Sequence, residues 1–443
     1  VARRGLVSLN QLDYVLQPDL SVATSRNMKR HYFQQTTYAP NNDAICILNS
    51  GADYIDPQHS YLHLKIKNAG AAVTHALGAG SACNFIQRVV LTTRSGDELE
   101  RVEDVNKLAA VLARYTKSPD WFSTSGTMCG YSGYYDAEAA FAGITAPDAK
   151  QRTTNGYLIA PSTSADFVIP LGELFGLFRS FDRLLPSMLC SGLRFEIHFA
   201  DVKDAGYNTY TTTPVDLNWS VEEISIMADS YQLTDSIQRV LNEEASIKGL
   251  ELVFTSWYHN SKDLTTAANG EVNIELRKAV SRALGVLYKV SPKVGTINGI
   301  DPFISKKRDT EKDFQLRLGS LYFPQQIIKK PMELYHHSLR GWGKLKTPSA
   351  PGNVSFPDFA RNLGAVYTDL ERSTTQKLTG VPVNNSRIIQ IRGIEDGNTT
   401  IGSGTNEIAK RSTSATVTAW KADVWLHYVR LARVFLQNVE VEE

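Results

Sequence analysis

Segments in which apolar and polar residues alternate recur along the whole chain and constrain its fold more than any other feature. In LRFEIHF, residues 193–199, every second side chain is apolar, so one face of a strand is buried and the other is wet. Further strand-like runs are YLHLKIK at 61–67, FIQRVVLTT at 85–93, GLELVFTSWY at 249–258, VNIEL at 272–276, RIIQIRG at 387–393 and VWLHYVRLARVFLQNVEV at 424–441. This number of strands predicts a mainly all-β protein.

Three segments carry the spacing of an amphipathic helix, at 103–115, 171–185 and 233–250. The second begins after Pro170 and ends before Pro186, because proline suits a first helical turn but cannot continue a helix. Its apolar face includes Leu174, Phe175, Phe178 and Phe181.

The length and the charge of the chain limit its class. A chain of 443 residues is long enough for two or three domains, each with its own core. With 47 basic and 46 acidic residues the net charge is +1, so no overall field attracts nucleic acid or anionic lipid. We expect no sequence-specific binding of nucleic acid.

Four cysteines, at positions 46, 83, 129 and 190, show no close spacing of the kind that zinc or redox motifs require. We expect reduced, mostly buried thiols, made in a reducing compartment.

The two halves of the chain resemble each other weakly. Each contains a strand, a loop and a second strand with an arginine, Arg88 in one half and Arg282 in the other. The predicted organisation is an N-terminal arm at 1–45, a first sandwich at 46–232, a helical linker at 233–248 and a second sandwich at 249–443.

Five motifs stand in a recognisable order: FVIPLGELFGLFRSFDRLLPSMLCSGLRFEIHF, DSYQLTDSIQRVLNEEASIKGLEL, LRLGSLYFPQQIIKKPMELYHHSLRGWGKL, LTGVPVNNSRIIQIRG and VWLHYVRLARVFLQNVEV. From about residue 50 to the end, this order resembles that of the double jelly-roll major capsid proteins of polinton-like viruses and virophages.

The resemblance implies two tandem eight-stranded jelly-roll β-sandwiches, with a few short helices in the loops and the linker. It implies a structural protein that forms homotrimers, which serve as pseudo-hexagonal capsomers in the icosahedral shell of a DNA virus. Its partners would be neighbouring capsomers, penton and minor capsid proteins, and a host receptor reached through surface loops. The protein would be made inside the host cell and would reside in the virion, with no cofactor and no enzymatic activity.

In this architecture the 171–185 helix would lie in a loop between two strands of the first roll. Its apolar face, with Leu174, Phe175, Phe178 and Phe181, would then plug one end of the sandwich.

Two other classes stay open, a carbohydrate-binding β-sandwich protein and a jelly-roll enzyme. His59 and His63, with His198 or His427, could imitate a metal site, but Pro57 makes a continuous strand doubtful there. No nucleophile elbow and no phosphate-binding loop occurs in the sequence. We therefore expect neither a metal site nor catalysis.

The stretch SGTMCGYSGYYDAEAAF, residues 125–141, has the composition of a binding loop. Tyrosine supplies rigid amphipathic contact area and glycine lets a loop adapt. We expect Tyr131, Tyr134 and Tyr135 to form a contact surface, and we favour packing between capsomers over receptor binding. The final segment, 424–441, is predicted to be an inner strand because both of its faces carry apolar residues.

Overall fold

A computed structural model of the chain describes residues 23–71, 74–131, 157–208, 218–264, 270–293, 301–303, 305, 313–343, 354–372, 378–383, 389–395, 420–435 and 439–442. Within these ranges the protein consists mainly of antiparallel β-sheets, so the predicted fold class is confirmed.

The first half forms two four-stranded sheets and one small sheet. Its strands are β1 (Ala23–Tyr32), β2 (Asp43–Ile47), β3 (Tyr54–Asn68), β4 (His75–Ala76), β5 (Ile86–Thr92), β6 (Glu98–Val102), β7 (Leu158–Ile159), β8 (Ser164–Pro170), β9 (Arg194–Phe199), β10 (Tyr207–Asn208) and β11 (Trp219–Leu233). The large sheets have the orders β1-β11-β3-β8 and β2-β9-β5-β6, and β4 joins β7 and β10.

The second half repeats this plan. Its strands are β12 (Leu250–Leu264), β13 (Gly270–Leu276), β14 (Val280–Pro292), β15 (Asp313–Leu318), β16 (Leu321–Ile328), β17 (Val366–Asp369), β18 (Val381–Val383), β19 (Ile389–Glu395), β20 (Trp420–Val434) and β21 (Val439–Glu442). The sheets have the orders β12-β20-β14-β17 and β13-β19-β15-β16, while β18 pairs with β14 and β21 with β20.

Each half has eight principal strands once the short strands β4, β7, β10, β18 and β21 are left out. Counted in chain order, these eight strands have the same topology in both halves. One sheet joins the first, eighth, third and sixth strands, and the other joins the second, seventh, fourth and fifth. This order is that of a jelly roll, in which two sheets close over one core. The prediction of two tandem eight-stranded jelly rolls is therefore confirmed, and we call them roll 1 and roll 2.

The helices lie in the connections between strands. They are α1 (Val105–Thr116), α2 (Pro119–Ser123), α3 (Leu171–Leu174), α4 (Gly176–Ser180), α5 (Ser187–Cys190), α6 (Asp235–Ile247), α7 (Pro331–Gly341) and α8 (Phe356–Asp358), with single turns of 3-10 helix at Ala82–Phe85 and Ser125–Cys129 and of π-helix at Phe359–Leu363. Helices α1 and α6 match two of the predicted helices. No helix among the described residues is long and apolar enough to cross a bilayer.

The single helix predicted over 171–185 is wrong. Phe175 takes extended dihedral angles, φ −116° and ψ 133°, and separates α3 from α4. The break has a physical reason, since the amides of Gly176 and Leu177 donate to the carboxylate of Glu100. Such amides at the start of a helix have no partner within it and need one outside it.

Two further expectations need correction. The predicted arm at 1–45 is too long, because β1 and the first residues of β2 lie within it and pair with β11 and β9. The doubt that Pro57 raised about a strand is also unfounded, since β3 runs through this residue with a shift of register against β11. The other domain boundaries stay a prediction, and α6 lies between β11 and β12.

Most of the segment predicted to be an inner strand, 424–441, does lie in one. Strand β20 lies between β12 and β14 and is almost wholly buried. The observed strand ends earlier than predicted, at Val434. After it, β21 turns back and pairs with the last residues of β20, from Val434↔Val439 to Leu431↔Glu442.

Candidate functional site: the junction between the two rolls

A buried carboxylate on roll 1 binds groups from both rolls. Glu100, in the edge strand β6, accepts hydrogen bonds from the amides of Gly176 (2.8 Å) and Leu177 (3.1 Å) and from Ser256 Oγ of β12 (2.7 Å). Burial raises the pKa of Glu100, while these three donors oppose the rise. This side chain therefore ties the α3–α4 segment of roll 1 to the first strand of roll 2.

Gly176 lets the two backbones approach each other at this point. A Cβ atom on Gly176 would lie 1.8 Å from the carbonyl oxygen of Thr255, so no side chain fits there without a shift of β12. The amide of Thr255 in turn donates to Ser180 Oγ at 3.0 Å. The α3–α4 segment thus packs directly on roll 2.

A cluster of charged groups lies between α1 and β20. Lys107 Nζ is 3.5 Å from Asp423 Oδ2, and Lys421 Nζ is 2.9 Å from Asp104 Oδ2 and 3.5 Å from Asp423 Oδ1. His259 Nε2 lies 3.1 Å from Asp423 Oδ1, and Ser291 Oγ donates to Asp423 Oδ2 at 2.9 Å. Two acids and two lysines are therefore paired across the junction.

The electrostatics of this cluster follow from its burial and its pairing. Burial opposes ionisation of Asp423, yet Lys107, His259 and Lys421 outweigh it and hold the pKa of Asp423 well below its usual range. Burial likewise opposes the charge of Lys107, but the two aspartates raise its pKa. Asp423 and Lys107 are then ionised at neutral pH. Breaking such a buried pair is costly, because the remaining charge has no partner.

Asp104, Asp423 and His259 also have the spacing of a metal site. Their ligand atoms lie within 4.8 Å of one another. The ammonium groups of Lys107 and Lys421 contact the same carboxylates and already balance their charge. The cluster is therefore better described as an ion-pair network than as a metal centre.

A third polar contact between the rolls lies beside α1, whose Ala110 packs with Ala79 and Phe303. The carboxylate of Asp301, in roll 2, accepts hydrogen bonds from the amides of Ala79 in roll 1 (2.7 Å) and Phe303 (2.8 Å). Burial raises the pKa of Asp301. Nearby, Tyr115 Oη donates to the carbonyl of Leu363 (2.9 Å) and accepts from the amide of Ala365 (3.1 Å). Helix α1 is thus bound to roll 2 along its whole length.

An aromatic cleft of about 690 Å³ opens between the rolls beside these contacts. Trp257 stacks on His427 with centroids 4.3 Å apart, and Trp342 stacks on Tyr367 at 4.6 Å. Trp121 lines the facing wall, in roll 1. Burial, with the charge of a nearby arginine, lowers the pKa of His427 to about 3, so this imidazole is neutral. Aromatic packing therefore complements the ionic contacts of the junction.

The four residues expected to plug a sandwich end are brought together by the structure. Leu174, Phe175 and Phe178 are buried, and Phe181 packs on the core while partly exposed. The rings of Phe175 and Phe178 contact that of Phe195 at 5.4 Å and 5.8 Å. Their role as a plug stays a prediction, and the same segment also faces roll 2.

The expected tyrosine surface needs correction at one position. Tyr131 is buried, and its ring packs on Trp121 and Phe122 at 5.4 Å and 5.3 Å. It belongs to a small core rather than to a contact surface, because these aromatic rings exclude water from it. Tyr134 and Tyr135 lie outside the described residues.

The four histidines considered for a metal site have different partners. His59 pairs with Asp56, and His63 lies near Asp166. His198 contacts Asp43, whereas His427 stacks on a tryptophan in the cleft. The structure does not bring them to one point.

Two sequence signals could have revealed the charged cluster. Lys107 directly precedes the apolar run 108–113 of its helix, and Asp423 stands between Ala422 and Val424 in a strand buried on both faces. A charge in such a place is rare unless it is paired. The sequence gives no indication, however, of which charge meets which.

Comparison with solved structures identifies proteins that have a similar fold. No family model matches the chain, and no curated protein matches it in sequence. VP54 of PBCV-1, fitted into a reconstruction of the virophage Sputnik, superposes with a TM-score of 0.60 at 9% identity, covering 98% of this chain and 99% of that one.

Two virophage structures give the same result. The 3.5 Å structure of Sputnik has a TM-score of 0.60 at 11% identity, covering 100% of this chain and 93% of that one. The mavirus major capsid protein has a TM-score of 0.56 at 12% identity, with 100% and 95% covered. The chain therefore has the double jelly-roll fold found in the major capsid proteins of virophages and giant viruses.

Proposed function

We propose that this protein is a structural major capsid protein that forms homotrimers and builds an icosahedral viral shell. The observation that carries the proposal is the match over nearly the full length of both chains, which includes both rolls in the same order. Jelly rolls also serve enzymes and lectins, but the double arrangement occurs here in relatives whose names are those of capsid proteins.

The junction supports this proposal physically. A subunit of a shell must hold its two rolls in one fixed relation, so that every copy presents the same surfaces. Glu100, the cluster around Asp423 and the contacts of Asp301 support such a fixed relation at three places in the junction. Three copies would place six rolls around one axis, which gives a pseudo-hexagonal capsomer.

The remaining partners follow from the same role. Neighbouring capsomers, penton and minor capsid proteins would contact the trimer, and a host receptor would be reached through loops. We place the protein in the virion after synthesis in the host cell, and we expect no enzymatic activity.

The mass of the purified protein tests the proposal. Light scattering after gel filtration should give about three times 49.1 kDa or a larger assembly, and electron microscopy should show particles of hexagonal outline. A stable monomer at micromolar concentration would count against a capsid role, and sugar binding by that monomer would favour the lectin class instead.

A further inference from the structure

A groove of about 600 Å³ lies between α6, the loop that joins α4 to α5, and the start of β12. Mainly apolar cavities of roughly this size, about 300–1,000 Å³, are typical of binding sites. Six large apolar side chains line the groove, and each is only half buried: Phe181, Leu184, Leu233, Ile237, Leu241 and Leu250. We call these six residues the linker groove.

Helix α6 has little tertiary contact for its length. All of its 13 residues are described, and Ala245 is the one that is fully buried. Ile237 and Leu241, one helical turn apart, point into the linker groove and stay half exposed. Helices of about 12–15 residues are marginal in water unless their apolar face is packed. We therefore expect a further apolar element to cover this face of α6.

The described part of the chain begins beside the linker groove. Ala23, the first residue of β1, pairs with Leu233, which lines the groove. Thr24 Oγ1 donates to the carbonyl of Gln232 at 3.1 Å, which holds this end of β1 against the end of β11. The chain therefore enters the fold next to the groove.

The sequence that precedes β1 supplies an apolar segment within reach. In LVSLNQLDYVL, residues 6–16, apolar side chains predominate: Leu6, Val7, Leu9, Leu12, Tyr14, Val15 and Leu16. The connection from Leu16 to Ala23 can span at most about 25 Å when it is extended. A helix as long as α6 measures about 20 Å, so the segment can reach any part of the groove.

We propose that segment 6–16 binds in the linker groove of its own chain. The short tether to Ala23 holds the segment at an effective concentration of about millimolar, which favours it over an untethered partner of similar affinity. The bound segment covers the half-exposed face of α6 and joins this linker helix to the 181–186 loop of roll 1. The inference goes beyond the capsid function and does not depend on it.

The reactivity of a thiol placed in the groove tests this contact. The four native thiols are buried, so the substitution Leu241→Cys adds the most accessible thiol of the full-length chain. Its rate of reaction with a maleimide should rise by about fivefold or more when Leu9→Asp/Leu12→Asp is added, because carboxylates are costly to bury in an apolar groove. Equal rates with and without the added pair would overturn the proposal, whether the groove is empty or holds a lipid or another protein.

Two controls separate docking from a general change in the protein. Asn10→Asp/Gln11→Glu adds the same charge to the segment but keeps its apolar side chains, so the thiol of Leu241→Cys should stay protected. Ile247→Cys lies on α6 at a position that is 71% exposed and does not line the groove. Its thiol should react fast in every background. If Leu241→Cys does not fold, Ile237→Cys on the same face replaces it.

Cross-linking identifies which copy supplies the segment. A flexible bis-maleimide should link the two thiols of Leu12→Cys/Leu241→Cys within one chain, which then runs at 49.1 kDa on a denaturing gel. A mixture of the two single variants should give no linked dimer. A dimer of about twice 49.1 kDa from that mixture would mean that the segment enters the groove of another copy, which would overturn the proposal.

The mass of the same variants keeps this inference separate from the capsid function. A protein of trimer mass in which the thiol of Leu241→Cys is unprotected contradicts the docking of the segment alone. A monomer in which this thiol is protected contradicts the capsid function alone.

Discussion

Helices α1 and α7 hold the same place in the two rolls but meet opposite surroundings. Counted from the start of each helix, Lys107, Ala110 and Arg114 of α1 correspond to Glu333, His336 and Arg340 of α7. The first three are buried beneath roll 2, and the other three are exposed. Charges on α7 are solvated without cost, whereas each charge on α1 needs a fixed partner. The same topology therefore buries these positions against the other roll in α1 and leaves the corresponding side chains of α7 exposed.

The strongest way to break this comparison is to shorten β20, whose first residues cover α1. Truncation just before Val429 removes the second part of β20 together with β21, which leaves β12 with an unpaired edge and an uncovered apolar face. We expect complete loss of soluble protein in gel filtration. A chain that ends after Phe435 is the control, and it should stay soluble because β20 is intact. A normal elution peak for the chain truncated before Val429 would contradict the assignment of β20 as an inner strand.

The next largest loss of stability is expected in the α3–α4 segment, which packs on roll 2. Phe178→Ala removes a buried ring that contacts Phe175 and Phe195, and such a cavity costs about 3–5 kcal/mol in the free energy of unfolding. Urea unfolding measures this cost. Phe181→Ala should cost less, since Phe181 is only partly buried. Equal stability of Phe178→Ala and wild type would contradict a structural role for the segment.

The ion-pair network distinguishes the buried helix from the exposed one directly. Asp423→Asn leaves Lys107 buried without its acid, so the free energy of unfolding at pH 7 should fall by about 3 kcal/mol. Glu333→Gln, at the position on α7 that corresponds to Lys107, should change it by no more than about 0.5 kcal/mol. If both variants lost the same amount, burial would not be what distinguishes the two helices.

The pH dependence of the same variant has a definite sign. The pKa of Asp423 is lowered on folding, so its contribution is present above its unfolded value of about 3.9 and is lost as the pH falls further. The difference between wild type and Asp423→Asn should therefore shrink when urea unfolding is repeated at pH 3. A difference that grows on acidification would mean that the carboxylate is not stabilised by its lysines.

The smallest expected effect concerns one hydroxyl group of α1. Tyr115→Phe removes the donor to the carbonyl of Leu363 and the acceptor for the amide of Ala365, which should cost about 1–2 kcal/mol. Tyr335→Phe on α7 removes one bond to the carbonyl of Val354 at a partly exposed site and should cost less. Thermal unfolding of the two variants would show whether this order holds.

Local patterns in the sequence were sufficient for seven strands, namely β3, β5, β9, β12, β13, β19 and β20, and for two of the three predicted helices, but strands such as β1 and β11 were not predicted. The alternation in residues 193–199 fixes which side chains of β9 point to the core, and the burial of Phe195 and Ile197 agrees. The helical spacing over 171–185 was misleading, because Phe175 must extend so that Gly176 and Leu177 can reach Glu100. This carboxylate is 76 residues away in the chain, and no local pattern contains it.

The junction itself was beyond a local analysis for the same reason. Asp104 and Lys421 are 317 residues apart in the chain, and each alone resembles an ordinary surface charge. Tyr131 was expected at a surface because it stands in a stretch, 125–141, with the Tyr, Ser and Gly composition of a binding loop. Its partners Trp121 and Phe122 precede it by only ten and nine residues, but the turns that fold them onto Tyr131 have no apolar periodicity to predict them.

The four cysteines determine how the protein can be labelled chemically. Burial raises the pKa of Cys46 and Cys83 to about 12, and it also raises the pKa of Cys129 and Cys190. Thiolate is the reactive form, so all four native thiols should react slowly with maleimides at neutral pH. A cysteine introduced at an exposed position such as Ile247 would then be the one fast-reacting thiol of the chain. A dye, a gold cluster or a foreign peptide could be attached there once per subunit without first removing any native residue.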